Sequence, residues 1–533
     1  MLVRFKSRRV ITLLMVLLTT IALSLSAAHA QDEKVLVVGS AEFVDSFDPA
    51  RSYSPTPIMS LQATYDTLVT FPADSADKFE PRVAKSWDVS DDNLTYTFHL
   101  RDDVKFSDGT PLTADDVVFS FKRFQNIKGN PSFLAATIAD VTATDPTTVV
   151  VKLNVVDPAI LAKIVAWPFS IVNSKVVKEQ GGSDAADADK SDKAEAFFAS
   201  GSAGSGPYIL ESYEKESQLV LVRNPNYWGT APYFDRVIFQ NIPEAAAQKV
   251  ALEAGDIDVA LGVTPDQVDA INSTDGLSVY TTGAFTLYYL AMNRDKQYSG
   301  PFADPKVEEA IHYALDYDGF RKIAGPGAVT PAAMLPAGMF GAYGSDKALK
   351  RDIDKAKSLL AEAGYPDGFE TTLDYPTYTQ EGLNIETLAQ KMVSDLAEVG
   401  IKVKLVPGDI GTFIEKARSG KLGFFLVWWQ PDYLDPDNYL YFLPGRNGGN
   451  RVQWLEKDAE PGLLELRDKA LTEVNPDERV KLFAQVQDLW QGGTPFAAFL
   501  QGSIQIGHRN DIQGVFRHPQ WLLDVATLSR VES

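Results

Sequence analysis

Three times along this chain an amphipathic helix is cut by a glycine and followed at once by an apolar strand, and that order restricts the fold more than any other feature. In Asn384–Val399 the apolar residues Ile385, Leu388, Met392, Leu396 and Val399 recur at helical spacing; Gly400 stops the helix, and Ile401–Val406 alternates like a strand. The same order holds for Ala245–Ala254, Gly255 and Ile257–Leu261, and for Thr412–Ser419, Gly420 and Phe424–Trp428. A further helix, Asp352–Ala363, ends at Gly364 with Pro366 just beyond. Helix and strand in alternation predict an α/β fold built on mainly parallel or mixed sheets. Between these units the texture changes. Leu94–Val104 and Thr142–Leu153 alternate polar with apolar and β-branched residues and predict antiparallel strands of a smaller α+β region. Gly181–Gly206, rich in Ala, Ser, Asp and Gly, reads as surface helix or loop.

The first nine residues carry four positive charges and no acid, an apolar run from Val10 to about Leu25 follows, and Ala28 and Ala30 fit an A-x-A cleavage site before Gln31. This pattern predicts a secretory signal peptide cleaved near Ala30 and an exported, water-soluble mature chain. That chain is long enough for roughly two to four domains. It contains no cysteine. An exported protein of this kind is held together by core burial and not by disulfides, and it lacks the cysteine that a lipid anchor requires. Removing Arg4, Lys6, Arg8 and Arg9 from the formal charge of −21 leaves −25 on the mature protein. Nucleic acid and anionic lipid are therefore excluded as expected partners, since both draw their affinity from clustered Lys and Arg.

Chemistry is sparse. There is no phosphate loop, no H-E-x-x-H, no G-x-S-x-G, and His99, His312, His508 and His518 have no metal-ligand spacing. No cofactor and no metal are expected. Asp187, Asp189 and Asp192 lack the glycine and terminal glutamate of a calcium loop and read as a solvated charged run. The acidic segment Asp432-Tyr-Leu-Asp435-Pro-Asp437 keeps a secreted glycoside hydrolase open, since such an enzyme needs two facing carboxylates. Its position says more than its acidity. It follows the strand Phe424–Trp429, and ligands of open α/β sheets bind outside the carboxyl ends of strands. Gly262 and Val263, after Ile257–Leu261, are the corresponding point elsewhere in the chain.

A long segment from Ala84 to Arg101, continued through Asp103–Val117, resembles the signature of the family 5 extracellular solute-binding proteins, the dipeptide and oligopeptide receptors of ATP-driven importers. Phe47-Asp48-Pro49, Gly204–Tyr208, Asn224–Gly229, Pro301–Pro305 and Trp429–Pro436 extend the match over the mature chain. The resemblance implies an α/β, two-lobed periplasmic-binding-protein fold with a small α+β domain inserted in lobe one. The segments it implies are a signal peptide at 1–30, lobe one at 31–75, the insertion at 76–200, lobe one again at 201–285, lobe two at 286–500 and a lobe-one C-terminus at 501–533. It implies a monomer that captures a small solute, as a binding protein and not an enzyme, and delivers it to an ABC permease of the inner membrane. Asp432 matches the aspartate that takes a peptide's ammonium group, and Trp429 is placed to wall a side-chain or sugar pocket. Tyr53 and Ser54 match a cleft-lining segment of lobe one. Leu426 stands where oligopeptide receptors have an arginine, so Arg294, Arg321, Arg351 and Arg418 are the available cations for a ligand carboxylate, and oligosaccharide and opine receptors of the same family remain open.

Overall fold

The computed structural model describes residues 33–41, 44, 46–53, 57–76 and 78–531. The segment expected to be a signal peptide and Ser54 lie outside the described residues.

The helix–glycine–strand units form as their chemistry dictates. Asn384 accepts from the Glu386 amide at 2.8 Å and starts the helix Ile385–Ala397, whose Ile385, Leu388, Met392 and Leu396 are buried. Gly400 turns the chain at φ +85°, and the strand Lys402–Gly408 begins two residues on. A side chain at the neighbouring Gly368 would sit 2.0 Å from the Gly400 carbonyl, so the two glycines let the helix exit lie against the loop before the next strand. The unit after Ala245–Ala254 departs from expectation in register. Asp256–Asp258 forms the crossover, with the Asp258 carboxylate accepting from the Val37 amide at 2.9 Å, and the strand is Val259–Val263. Gly262 and Val263 thus lie inside a strand and not beyond its end.

The strands join in one mixed ten-stranded sheet. From edge to edge its strands are Lys402–Gly408, Glu370–Pro376, Phe424–Trp429, Leu277–Met292, Phe496–Arg509, Val259–Val263, Val35–Ser40, Arg236–Asn241, Gln218–Arg223 and Tyr208–Glu214. Leu277–Met292 and Phe496–Arg509 pair antiparallel over nearly their whole length. One half of this ribbon pairs with Val259–Val263 and the other with Phe424–Trp429, so it belongs to both lobes. Its register slips between Gly283 and Leu287, opposite Gln501–Ser503, where ladder bonds are missing.

Four antiparallel strands, in the order Ala84–Val89, Thr95–Leu100, Thr148–Leu153, Ile138–Asp145, form a separate smaller sheet backed by the helix Ala114–Ile127. Thr113 and Asp116 close a capping box at the start of that helix, and Phe98, Phe106, Phe121, Phe124 and Val149 fill the space between helix and sheet. Three of the segments that carry the family resemblance contribute Asp48, Ser205 and Trp228 to two buried polar hubs. Arg123 is bidentate to Asp48 at 2.6 and 2.7 Å and reaches Asp192 at 2.8 Å. Asp66 accepts from Arg82 at 2.6 Å, from Ser205 at 2.7 Å and from the Trp228 indole at 2.9 Å. Beside them Gly204 is pressed on the Thr64 carbonyl so closely that a Cβ would stand 2.0 Å away.

Asp192 corrects the reading of Asp187, Asp189 and Asp192 as a solvated run. Burial opposes its ionisation, but Arg123 and Arg51 outweigh that and hold its carboxyl below the usual range. A mixed-charge segment hides this role because spacing does not reveal which acid turns inward. Arg123→Ala leaves Asp48 and Asp192 buried without their shared cation and is expected to cost ~3–5 kcal/mol of unfolding free energy. The exposed Asp187→Asn should stay within about 0.5 kcal/mol of the parent. Denaturant titrations of the two variants check both values.

Candidate functional site

The strand Phe424–Trp429 alternates its side chains between the two sheet faces, so two adjacent tryptophans part company. Trp428 stacks on Tyr378 at 5.1 Å and 11°, against the core built on Met392 and Leu426. Trp429 turns to the opposite core, stacked on Tyr441 at 5.4 Å and 13° and meeting Tyr439 and Phe442 edge-on at 5.0 and 5.1 Å. Directly after the strand, Gln430, Pro431 and Asp432 line a cavity of about 740 Å3. Tyr53, Phe133 and Trp167 line it together with Trp429, Asp432 and Tyr441 from the end of this strand and the segment after it.

Asp432 is half-buried and faces this cavity. The Tyr53 hydroxyl donates to one carboxylate oxygen at 2.6 Å, and the Asn438 amide donates to the other at 3.3 Å. Asn438 also accepts from the Asp432 backbone amide at 2.9 Å, which fixes the turn. Burial raises the Asp432 pKa above the ordinary carboxylate value, with the Tyr53 and Asn438 bonds acting against the shift. Burial, and then the Asp432 charge, pushes the Tyr53 phenol upward, so it stays a neutral donor. Among the described residues no Lys, Arg or His lies within 4.0 Å of the Asp432 carboxylate. The site therefore offers a desolvated acceptor with two fixed hydrogen bonds and no cation.

The neighbouring acids are otherwise engaged. Asp435 is bound by Arg479 at 2.5 and 3.0 Å. Asp437, whose carboxyl is raised by burial, shares Lys163 with Asp157: the ammonium is 2.7 Å from Asp157 and 3.8 Å from Asp437. Lys163 belongs to the helix Ile160–Val165, so this cluster also bridges the lobes. A second bridge is the buried pair Arg517–Glu381 at 3.2 Å, with Gln430 donating to Glu381 at 2.9 Å. His312 and His518 are buried with a ring nitrogen beside the Thr494 and Ser75 carbonyls, and burial lowers both to about 4.

The structure brings Tyr53, Trp429 and Asp432 to one cavity. Gly262 and Val263 do not line it. The Gly262 amide donates to the Gln248 side chain at 2.8 Å, and Val263 is buried in the small core around Leu252 and Ile257. Ser54 falls outside the described residues. Of the candidate cations, Arg294 is paired with Glu308 at 2.8 Å, Arg351 with Glu398 at 2.9 Å and Arg321 with Asp318, whereas Arg418 lines the cavity. Asn438, Tyr441, Arg446 and Arg451 also line it and have no sequence signal, because they come from turns and short helices beyond Asp432.

A cavity walled by aromatic side chains beside one shared strand ribbon fits the class of two-lobed solute receptors. The chain belongs to the bacterial extracellular solute-binding proteins, family 5, whose middle-region model matches residues 78–451. It is 29% identical over 97% of its length to the probable D,D-dipeptide-binding periplasmic protein DdpA of Escherichia coli (strain K12), 98% of which is covered. It is 30% identical over 88% of its length to heme-binding protein A of Haemophilus influenzae, covering 87% of that protein. Among solved structures, the ABC transporter-associated periplasmic binding protein DppA of Helicobacter pylori, in complex with the peptide STSA, superposes with a TM-score of 0.78 at 25% identity. That match covers 94% of this chain and 99% of the other.

Tyr53→Phe deletes the shorter bond to the ionised form of Asp432, so the Asp432 pKa should move further up. Carboxyl NMR titration of the variant reads the shift, and an unchanged value would mean that the bond does not govern this carboxylate.

Proposed function

We propose that this protein is the binding subunit of an ATP-driven importer and captures a peptide with a free amino terminus between its lobes. One observation carries the reading: Asp432 is a desolvated carboxylate on the cavity wall, held by Tyr53 and Asn438 and lacking a cation. A buried carboxylate without a partner is costly, and an ammonium ion supplies the missing half of the pair. The cavity volume is in the range, about 300–1,000 Å3, that small organic ligands occupy. The E. coli and H. pylori relatives, one named for a dipeptide and one crystallised with a peptide, support the same class of ligand.

In this reading the first 30 residues are a signal peptide cleaved near Ala30, and the mature monomer works in the periplasm with no cofactor, releasing its solute unchanged to an inner-membrane ABC permease. Among the described residues no helix is long and apolar enough to cross a membrane, in keeping with this. The slip at Gly283–Leu287 marks the hinge, since a stretch without ladder bonds bends at the lowest cost, and closure shields the ion pair from water.

Asp432→Asn should weaken peptides with a free amino terminus by ~2–5 kcal/mol and amino-blocked analogues far less. Equal losses for both would sink the reading. An ammonium lowers the raised Asp432 pKa, so binding releases a proton wherever the free site is protonated. Affinity therefore falls as pH drops through that pKa, and calorimetry on Asp432→Asn should show the dependence abolished.

A further inference from the structure

Three guanidinium groups stand on the lobe-two wall of the cavity. Arg418 ends the helix Ile410–Arg418, and Arg446 and Arg451 bracket the short turn of helix Asn447–Arg451. Every other arginine from Arg51 to Arg530 has a carboxylate within 4.0 Å. Among the described residues Arg418, Arg446 and Arg451 have none, and all three line one cavity. Exposure does not account for it, because the exposed Arg321 is paired with Asp318. Nor does a shortage of acids, since the chain holds 71 Asp and Glu against 50 Lys and Arg.

Arg418 and Arg451 act on groups around Asp432. Burial raises the Tyr53 and Tyr441 hydroxyls, and Arg418 opposes the rise at both. The Arg451 guanidinium lies 5.5 Å from the centre of the Tyr441 ring, which is stacked on Trp429. One unpaired carboxylate and three unpaired guanidiniums therefore face the same solute. A peptide with neutral side chains brings one ammonium and one carboxylate, which answers Asp432 and leaves two cations without a counter-charge. Guanidinium forks bind carboxylates in bidentate fashion, so each added acid on the ligand finds a matched partner.

We propose that the cavity selects acidic peptides: the ammonium meets Asp432, and the terminal carboxylate together with at least one Asp or Glu side chain meets the arc of Arg418, Arg446 and Arg451. This rests on the peptide reading above and extends it to the side chains.

Titration calorimetry of the mature protein with Ala-Ala-Ala, Ala-Glu-Glu and Ala-Lys-Lys tests the inference. The acidic tripeptide should bind at least about tenfold tighter than the neutral one, with the basic one weakest and the acidic preference shrinking as salt is added. Arg418→Gln and Arg451→Gln should each move the acidic-over-neutral ratio toward one, with unfolding midpoints confirming that both variants fold. Equal affinity for acidic and neutral tripeptides in the parent protein would overturn the charge selectivity while leaving the peptide reading intact. Failure of all three to bind would overturn both.

Discussion

The antiparallel ribbon of Leu277–Met292 and Phe496–Arg509 carries ladder hydrogen bonds that neither lobe could satisfy alone. Val259–Val263 completes one edge of it and Phe424–Trp429 another, so each lobe's sheet is finished by strands that continue into its neighbour. Buried backbone groups must be paired, and this shared ladder therefore fixes how the lobes follow one another in space. The wider of its two slips, at Gly283–Leu287, lies between the halves of the ribbon and includes Phe285 and Thr286 of the cavity wall. The ladder is interrupted between Gly283 and Leu287 and again between Tyr288 and Tyr289, so it bends most easily over this short stretch, and the cavity lies beside it.

Tyr433 and Leu434 pack on the core of the small domain, and polar contacts cross beside them. Tyr53 with Asp432, Lys163 with Asp437, and Arg517 with Glu381 each join a lobe-one side chain to a lobe-two carboxylate. The charges differ in how completely they are answered. Arg517 and Glu381 form a closed pair, whereas Asp432 is hydrogen-bonded without a counter-ion. In a partly buried site a charge with donors but no opposite charge is the point at which a ligand gains most, because part of the cost of desolvating it has already been met by folding.

The hubs around Arg123 and Asp66 show why the segments most useful for recognising the chain are remote from its chemistry. Asp48, Arg82, Gly204, Ser205 and Trp228 meet in buried ion pairs, hydrogen bonds and close backbone contact beside the small four-stranded sheet. Such contacts tolerate little substitution, since losing one partner strands a buried charge. Apart from Asp432 and its neighbours, the residues lining the cavity carry no readable sequence pattern.

Periodicity determined the helices, the glycine stops and the strands, because those depend on which face of an element is apolar and which residue tolerates a left-handed turn. It also put Asp432 and Trp429 at the end of a strand, where a ligand could reach them. Tertiary structure decided the rest. The three-residue crossover Asp256–Asp258, whose Asp258 carboxylate accepts from the Val37 amide, leaves Gly262 and Val263 inside a strand and away from the cavity. Asp192 turned inward to Arg123 while its neighbours stayed in solvent. Arg418 was left without a carboxylate while Arg294, Arg321 and Arg351 found one. Spacing along a chain sets which side of an element a charge occupies, but which charge stands opposite it depends on segments hundreds of residues apart meeting in the fold.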